Sequence, residues 1–185
     1  MTDIILLALE SEAPSLFEYD NVFCVGVGKV NAAITTMHLL HTIKPDRVIN
    51  LGTAGGITLS SGIHRVNTIV QHDVNLTPLG LNIGDQLNDP LNIIQLSGAG
   101  VVCASGDVFV SDRDKLRIVC DVVEMEAYSI AKACRLTGIE VEIWKYISDS
   151  ADGSAGKVWQ DKVSAGEEFY RQVLKDLSVE LVKGD

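Results

Sequence analysis

The sequence predicts an α/β fold: a three-layer α/β/α sandwich around a central mixed β-sheet. Three observations carry this reading. Short β-branched runs recur along the chain, helical patterns separate several of them, and Gly, Asp, Asn or Pro bounds most of them. The strand candidates are 4–9, 22–27, 47–51, 65–71, 93–96, 101–104, 121–123 and 140–148. The first helix covers 29–42, with Val30, Ala33, Ile34, Met37 and Leu40 or His41 at helical spacing and Pro45 just past its end. The second covers 125–136 and closes near Gly138, whose missing Cβ suits a left-handed cap. The third covers 165–183. There Phe169, Val173, Leu174, Leu177, Leu181 and Val182 form an apolar face, opposite Glu167, Glu168, Arg171, Lys175 and Asp176, and that face is expected to cover the sheet. The stretch 77–90 is rich in Gly, Asn, Asp and Pro and reads as a long surface loop or lid. No repeat or linker divides the chain, so 1–185 is read as one domain with a sizeable core.

Composition narrows the function. The formal net charge is −10 and no Lys/Arg cluster stands against it, which argues against nucleic-acid binding. The apolar start of the chain is too short to span a bilayer and carries Asp3 without a basic leader, so it reads as a buried first strand and not as a signal or a membrane segment. Cys24, Cys103, Cys120 and Cys134 form no C-x-x-C pair. They read as buried free thiols in a reducing, cytoplasmic compartment. The histidines show no convergent spacing, and no metal is expected.

Six segments carry chemistry-bearing residues where strands end. Gly26-Val27-Gly28-Lys29-Val30 follows a strand and opens a helix. It lacks the third glycine of a dinucleotide fingerprint and the G-K-[ST] of a P-loop, so it reads as a tight turn. Gly52-Thr53-Ala54-Gly55-Gly56 follows another strand, as a bend or as a place where a ligand lies against backbone. Glu10 and Glu12 follow the first strand; Glu10 reads as a solvated turn residue and Glu12 as the better candidate for chemistry. Glu124-Met125-Glu126 opens the second helix, where either acid could simply favour the helix dipole. Ser148-Asp149 ends a late strand, as a turn or as an acid pair. In Ser105-Gly106-Asp107-Val108-Phe109-Val110 the phenylalanine is either core or pocket.

In their order and spacing, Ala8-Leu9-Glu10-Ser11-Glu12, Gly52-Thr53-Ala54-Gly55-Gly56, Ser105–Val110, Val123-Glu124-Met125-Glu126 and Ile147-Ser148-Asp149 resemble the purine nucleosidase and nucleoside phosphorylase family, nearest to its methylthioadenosine/S-adenosylhomocysteine nucleosidase branch. The resemblance implies a nucleoside phosphorylase-like fold and cleavage of the N-glycosidic bond of a purine ribonucleoside. It implies that Glu12 activates water and that Asp149, oriented by Ser148, protonates the purine at N7; such proton transfer is worth ~10²–10⁴-fold. Glu126 would hold the ribose hydroxyls and stabilise an oxocarbenium-like sugar. Thr53 would face the ribose or the water, Met125 would pack on the substrate, and Phe109 and Val110 would take the base. No cofactor is required by this chemistry. A homodimer is implied. So is methylthioadenosine, S-adenosylhomocysteine or a related 5′-modified nucleoside as substrate.

The chain is shorter than typical members of that family, mainly within 84–116, and Thr77-Pro78-Leu79-Gly80-Leu81 has leucines where aromatics are common. These departures concern the 5′ end of the substrate and the subunit contact. Two rivals remain. A phosphorylase would need cationic or N–H-rich groups near Glu12 to hold phosphate, and the sequence there offers acids. A non-catalytic nucleoside-binding protein would have no need of an acid–water pair.

Overall fold

The computed structural model describes residues 2–184. Its regular elements are β1 (Asp3–Leu7), β2 (Val22–Cys24), α1 (Lys29–Ile43), β3 (Arg47–Gly56), β4 (Ile63–Gln71), β5 (Ile94–Gln95), β6 (Val101–Ser105), β7 (Val122–Glu124), α2 (Ala127–Thr137), β8 (Glu140–Asp149), α3 (Ala155–Lys162) and α4 (Glu167–Asp176). Each strand anticipated from the β-branched runs is present. β3 extends five residues beyond the expected end because the Gly-rich segment continues as strand and pairs with β8.

The strands form one mixed sheet. β1 lies parallel between β2 and β3, β3 runs parallel to β8, and β4, β6 and β7 are mutually parallel. β8 meets the start of β4 antiparallel, and the last two residues of β3 cross β7 antiparallel, Gly55 opposite Val123. β3, β8, β4, β6 and β7 therefore close a ring of pairings. The crossing of β3 and β7 brings the end of β7 beside the ends of β3 and β8.

Burial on both faces explains the near-continuous apolar strands. Ile4, Leu6 and Val48 pack toward Leu39 and Leu40 of α1 and Ile130, Ala133 and Cys134 of α2. The alternate residues Ile5, Leu7, Ile49 and Leu51 pack against Tyr170, Val173 and Leu174 of α4. The three layers follow directly from this two-residue alternation. α2 ends as expected, with Gly138 left-handed at φ 74°.

Three expectations are corrected. In α1 the apolar stripe faces outward: Val30, Ile34 and Met37 are 67, 66 and 42% exposed, while Ala32, Thr36, Leu39 and Leu40 face the sheet. Small residues there let the helix lie close to the strands. The terminal helix is shorter than expected, and a separate helix precedes it. α3 lies in a stretch to which no element was assigned, and α4 stops at Asp176, after which Ser178 is left-handed and the chain returns to bond Asp20 and Asn21. Tyr170 takes the core position expected of Phe169, which stacks on Tyr146 with ring centres 5.3 Å apart. Finally, all four cysteines are free, but Cys24 is exposed, because β2 is an edge strand that ends there.

Candidate active site

One cavity, open to solvent on one side, lies where β1, β3, β7 and β8 end. Glu12, Thr53, Phe109, Val110, Met125, Glu126, Ser148 and Asp149 all line it. Every site residue expected from the sequence is thus brought to one place. Ala8, Leu9, Val27, Val108, Val123 and Trp159 complete its apolar walls. Phe109 is 44% exposed in the wall, so it is not a core residue.

Glu12 sits buried in the turn after β1, and Glu10 beside it is exposed. One Glu12 oxygen, Oε2, accepts the N–H groups of Ala8 and Leu9, both at 3.1 Å. The other, Oε1, accepts Thr53 N at 2.7 Å and Thr53 Oγ1 at 2.9 Å. Four donors fix one carboxylate. Gly52 gives it room, since a Cβ there would lie 3.2 Å from Glu12 Oε1 and 3.4 Å from Lys145 Nζ.

Asp149 depends on an irregularity in the sheet. Ala54 pairs with Ile147 and Gly55 with Asp149, so Ser148 is an extra residue, a β-bulge. The bulge turns both Ser148 and Asp149 into the cavity. Asp149 Oδ1 accepts Ala151 N at 2.9 Å, and Oδ2 accepts Ser148 Oγ at 2.9 Å. Ser148 Oγ also lies 3.3 Å from the Ala54 carbonyl. One hydroxyl proton can serve only one of these acceptors. With Asp149 ionised it goes to Oδ2; with Asp149 protonated there, Ser148 turns its proton to Ala54 and accepts from the acid. A Cβ on Gly55 would stand 3.0 Å from Asp149 Oδ1. The glycines of this strand thus make room for the site's own carboxylates, where the sequence suggested room for a ligand.

The two acids around Met125 divide the work. Glu124 caps α2: its Oε2 accepts Glu126 N at 2.9 Å and Ala127 N at 2.8 Å, and its Oε1 accepts Ser105 Oγ. It also pairs with Lys145 at 3.0 Å, both side chains being 2% exposed. Glu126 instead takes Gly28 N at 2.8 Å, at the start of α1. The Gly26–Gly28 turn, with φ of 79° and 91° at its two glycines, therefore bonds a carboxylate of the protein itself.

The charges are set by burial and by this pair. Burial alone would raise Glu124, but Lys145, Ser105 and the N–H of Glu126 outweigh it and hold it below the usual carboxylate range. Burial opposes the Lys145 ammonium, yet Glu124 and then Glu126 push its pKa up. Glu126 is pushed up to about 8, first by burial and then by the neighbouring Glu124 charge. Between about pH 4.5 and 8 the folded chain holds a proton on Glu126 that the unfolded chain has released. Stability therefore falls as pH rises across that window, at up to about 1.4 kcal/mol per pH unit. Glu126→Gln, which still accepts from Gly28, is expected to flatten that slope. Urea midpoints at pH 5 and pH 8 measure it, and a slope unchanged in the variant would remove the assignment.

Sequence reasoning missed Lys145 and Trp159. Lys145 left a signal, a lone cation in the middle of a strand whose neighbours Ile143 and Ile147 are core. Trp159 left little, being a single aromatic in a polar helix. Asp73 pairs with Lys29 at 2.6 Å outside the cavity and accepts Asp107 N at 2.8 Å. Among the described residues no group of three or more His, Cys, Asp or Glu could hold a metal ion, and no helix is long and apolar enough to cross a membrane.

A family model described as the Phosphorylase superfamily matches residues 21–99 and 86–183, two stretches that share 86–99. The 5′-methylthioadenosine/S-adenosylhomocysteine nucleosidase of Actinobacillus succinogenes is 35% identical over 162 residues, covering 74% of this chain and 70% of that protein. The protein of the same name from Lysinibacillus sphaericus is 32% identical over 153 residues, covering 68% of this chain and 66% of that protein. The chain thus spans about two thirds of the length of these relatives. A mutant nucleosidase from Helicobacter pylori with 5′-methylthioadenosine in its active site shares the fold, with a TM-score of 0.86 over 96% of this chain and 97% of that one at 23% identity.

Proposed function

The chain belongs to the Phosphorylase superfamily, and on that premise we propose that residues 1–185 act as one purine nucleosidase domain that hydrolyses the N-glycosidic bond of a 5′-modified purine ribonucleoside, methylthioadenosine or S-adenosylhomocysteine among them. The observation that carries this reading is the meeting of Glu12, Glu126 and Asp149 in one cavity.

Asp149 donates a proton to purine N7 as the C1′–N9 bond breaks and its electron pair moves to the base, so the base leaves neutral. Ser148 serves both protonation states of that acid. Glu126 bonds the ribose hydroxyls; before substrate binds its carboxyl is neutral below about pH 8, and a cationic sugar favours its ionised form. Water attacks C1′ and loses a proton to Glu12. Met125, Phe109 and Val110 hold the base and sugar against an otherwise apolar wall. Protein groups and water suffice for these steps.

Hydrolysis is favoured over phosphorolysis by the lining itself. Among the described residues, the cavity wall has four carboxylates and no Lys, Arg or His, and the cation beneath it, Lys145, is taken by Glu124. Such a wall offers phosphate no cation to hold it. The outward stripe of Val30, Ile34 and Met37, with Leu136 68% exposed across the groove between α1 and α2, supports a homodimer closed through this face. A cytoplasmic location is part of the same proposal, in keeping with four free cysteines.

Release of base from a panel of 5′-modified purine nucleosides tests the proposal, run with and without phosphate on material whose mass is read by sedimentation. Equal release in both buffers, free pentose as product and a dimeric mass are expected. Strict phosphate dependence with a pentose 1-phosphate product would replace hydrolysis by phosphorolysis, and tight nucleoside binding without release would make the chain a binder.

A further inference from the structure

We propose that Trp159 is a positioning residue for Glu12, acting through the hydroxyl of Thr53. Trp159 is carried by α3, which the sequence did not show, and its half-buried indole lines the cavity. Its Nε1–H donates to Thr53 Oγ1 at 3.0 Å. Thr53 Oγ1 stands 2.9 Å from Glu12 Oε1.

The chemistry of the three groups sets the direction of the chain of bonds. Of the four donors to Glu12, three are backbone N–H groups that cannot turn; the fourth is a rotatable hydroxyl. A threonine hydroxyl has one proton and two lone pairs, and an indole N–H only donates. By filling a lone pair of Thr53 Oγ1, Trp159 leaves the hydroxyl proton directed at Glu12. Thr53 then serves as a fixed donor, and it cannot turn that proton to water or substrate. Each bond in such a chain polarises the next. α3 is thereby linked to the group that activates water, ten residues after the acid that protonates the base.

The kinetic consequence rests on the nucleosidase reading; the contact itself does not. Trp159→Phe keeps an aromatic ring in the wall and removes the N–H. It is expected to lower kcat about three- to tenfold, the worth of one hydrogen bond, with KM moving less than twofold. In a Thr53→Val background the same change is expected to cost nothing more, and in a Thr53→Ser background the loss returns. A purely structural tryptophan would cost the same in all three. Wild-type kcat in Trp159→Phe, or an equal loss in Thr53→Val, overturns the proposal. The second readout needs no activity. In ¹⁵N NMR the Trp159 indole signal, assigned through the Phe variant, is expected to shift and to exchange faster with water in Thr53→Val; an unchanged signal also overturns the proposal. Wild-type protein that releases no base from any nucleoside would remove the functional reading instead, and the NMR comparison would still decide the contact.

Discussion

Asp149→Asn is expected to reduce kcat for adenine nucleosides by about 10²–10⁴-fold, or roughly 3–5 kcal/mol of barrier, with the fold intact. The variant keeps an oxygen for Ala151 N and a group for Ser148 Oγ, so both bonds that now hold the side chain can be remade. What it lacks is an acidic proton for N7. The deficit is therefore expected to shrink for a nucleoside whose base leaves readily without protonation. Steady-state kinetics on the two substrate types, with circular dichroism as the check on folding, measure this. Near-normal turnover of an adenine nucleoside by the variant would remove Asp149 from the acid role.

Lys145→Met is expected to destabilise the protein by about 3–5 kcal/mol, because a carboxylate buried to the same degree loses its cation. Methionine fits the space of the lysine stem, so the loss is electrostatic more than a matter of packing. The sign with pH is definite. Removing Lys145 raises the Glu124 carboxyl, the folded variant holds its proton to higher pH than the wild type does, and the variant therefore loses stability relative to wild type as pH rises. Adding Glu124→Gln is expected to recover most of the loss, since the buried charge is then gone. Urea denaturation of the single and double variants at pH 5 and 8 measures both effects. A single variant as stable as the double would show that the ion pair is not what holds this corner of the site. Activity is also expected to suffer, because Glu124 places the first turn of α2 and with it Glu126.

The fold was readable because its strands are buried on both faces and leave β-branched runs that cannot be mistaken for loops. The site was readable for a different reason: Glu12, Thr53, Glu126 and Asp149 each stand just past an apolar strand or at its end, where a polar residue is conspicuous. The outward face of α1 was not readable, since Val30, Ile34 and Met37 have the same spacing whether they cover a sheet or await another surface. Nor was the split between Glu124 and Glu126. Two acids two residues apart at a helix start look alike until one is seen to cap the helix beside Lys145 and the other to meet Gly28. Trp159 was hidden because its partner, Thr53, lies 106 residues away.

The unpaired serine in β8 makes the chemistry a matter of counting as much as of residue type. Side chains along a strand change sides at each step. The extra residue is what lets two consecutive side chains, Ser148 and Asp149, enter one cavity; deleting Ser148 would restore regular pairing with β3 and keep the aspartate opposite Gly55, but without the hydroxyl that answers its change of charge.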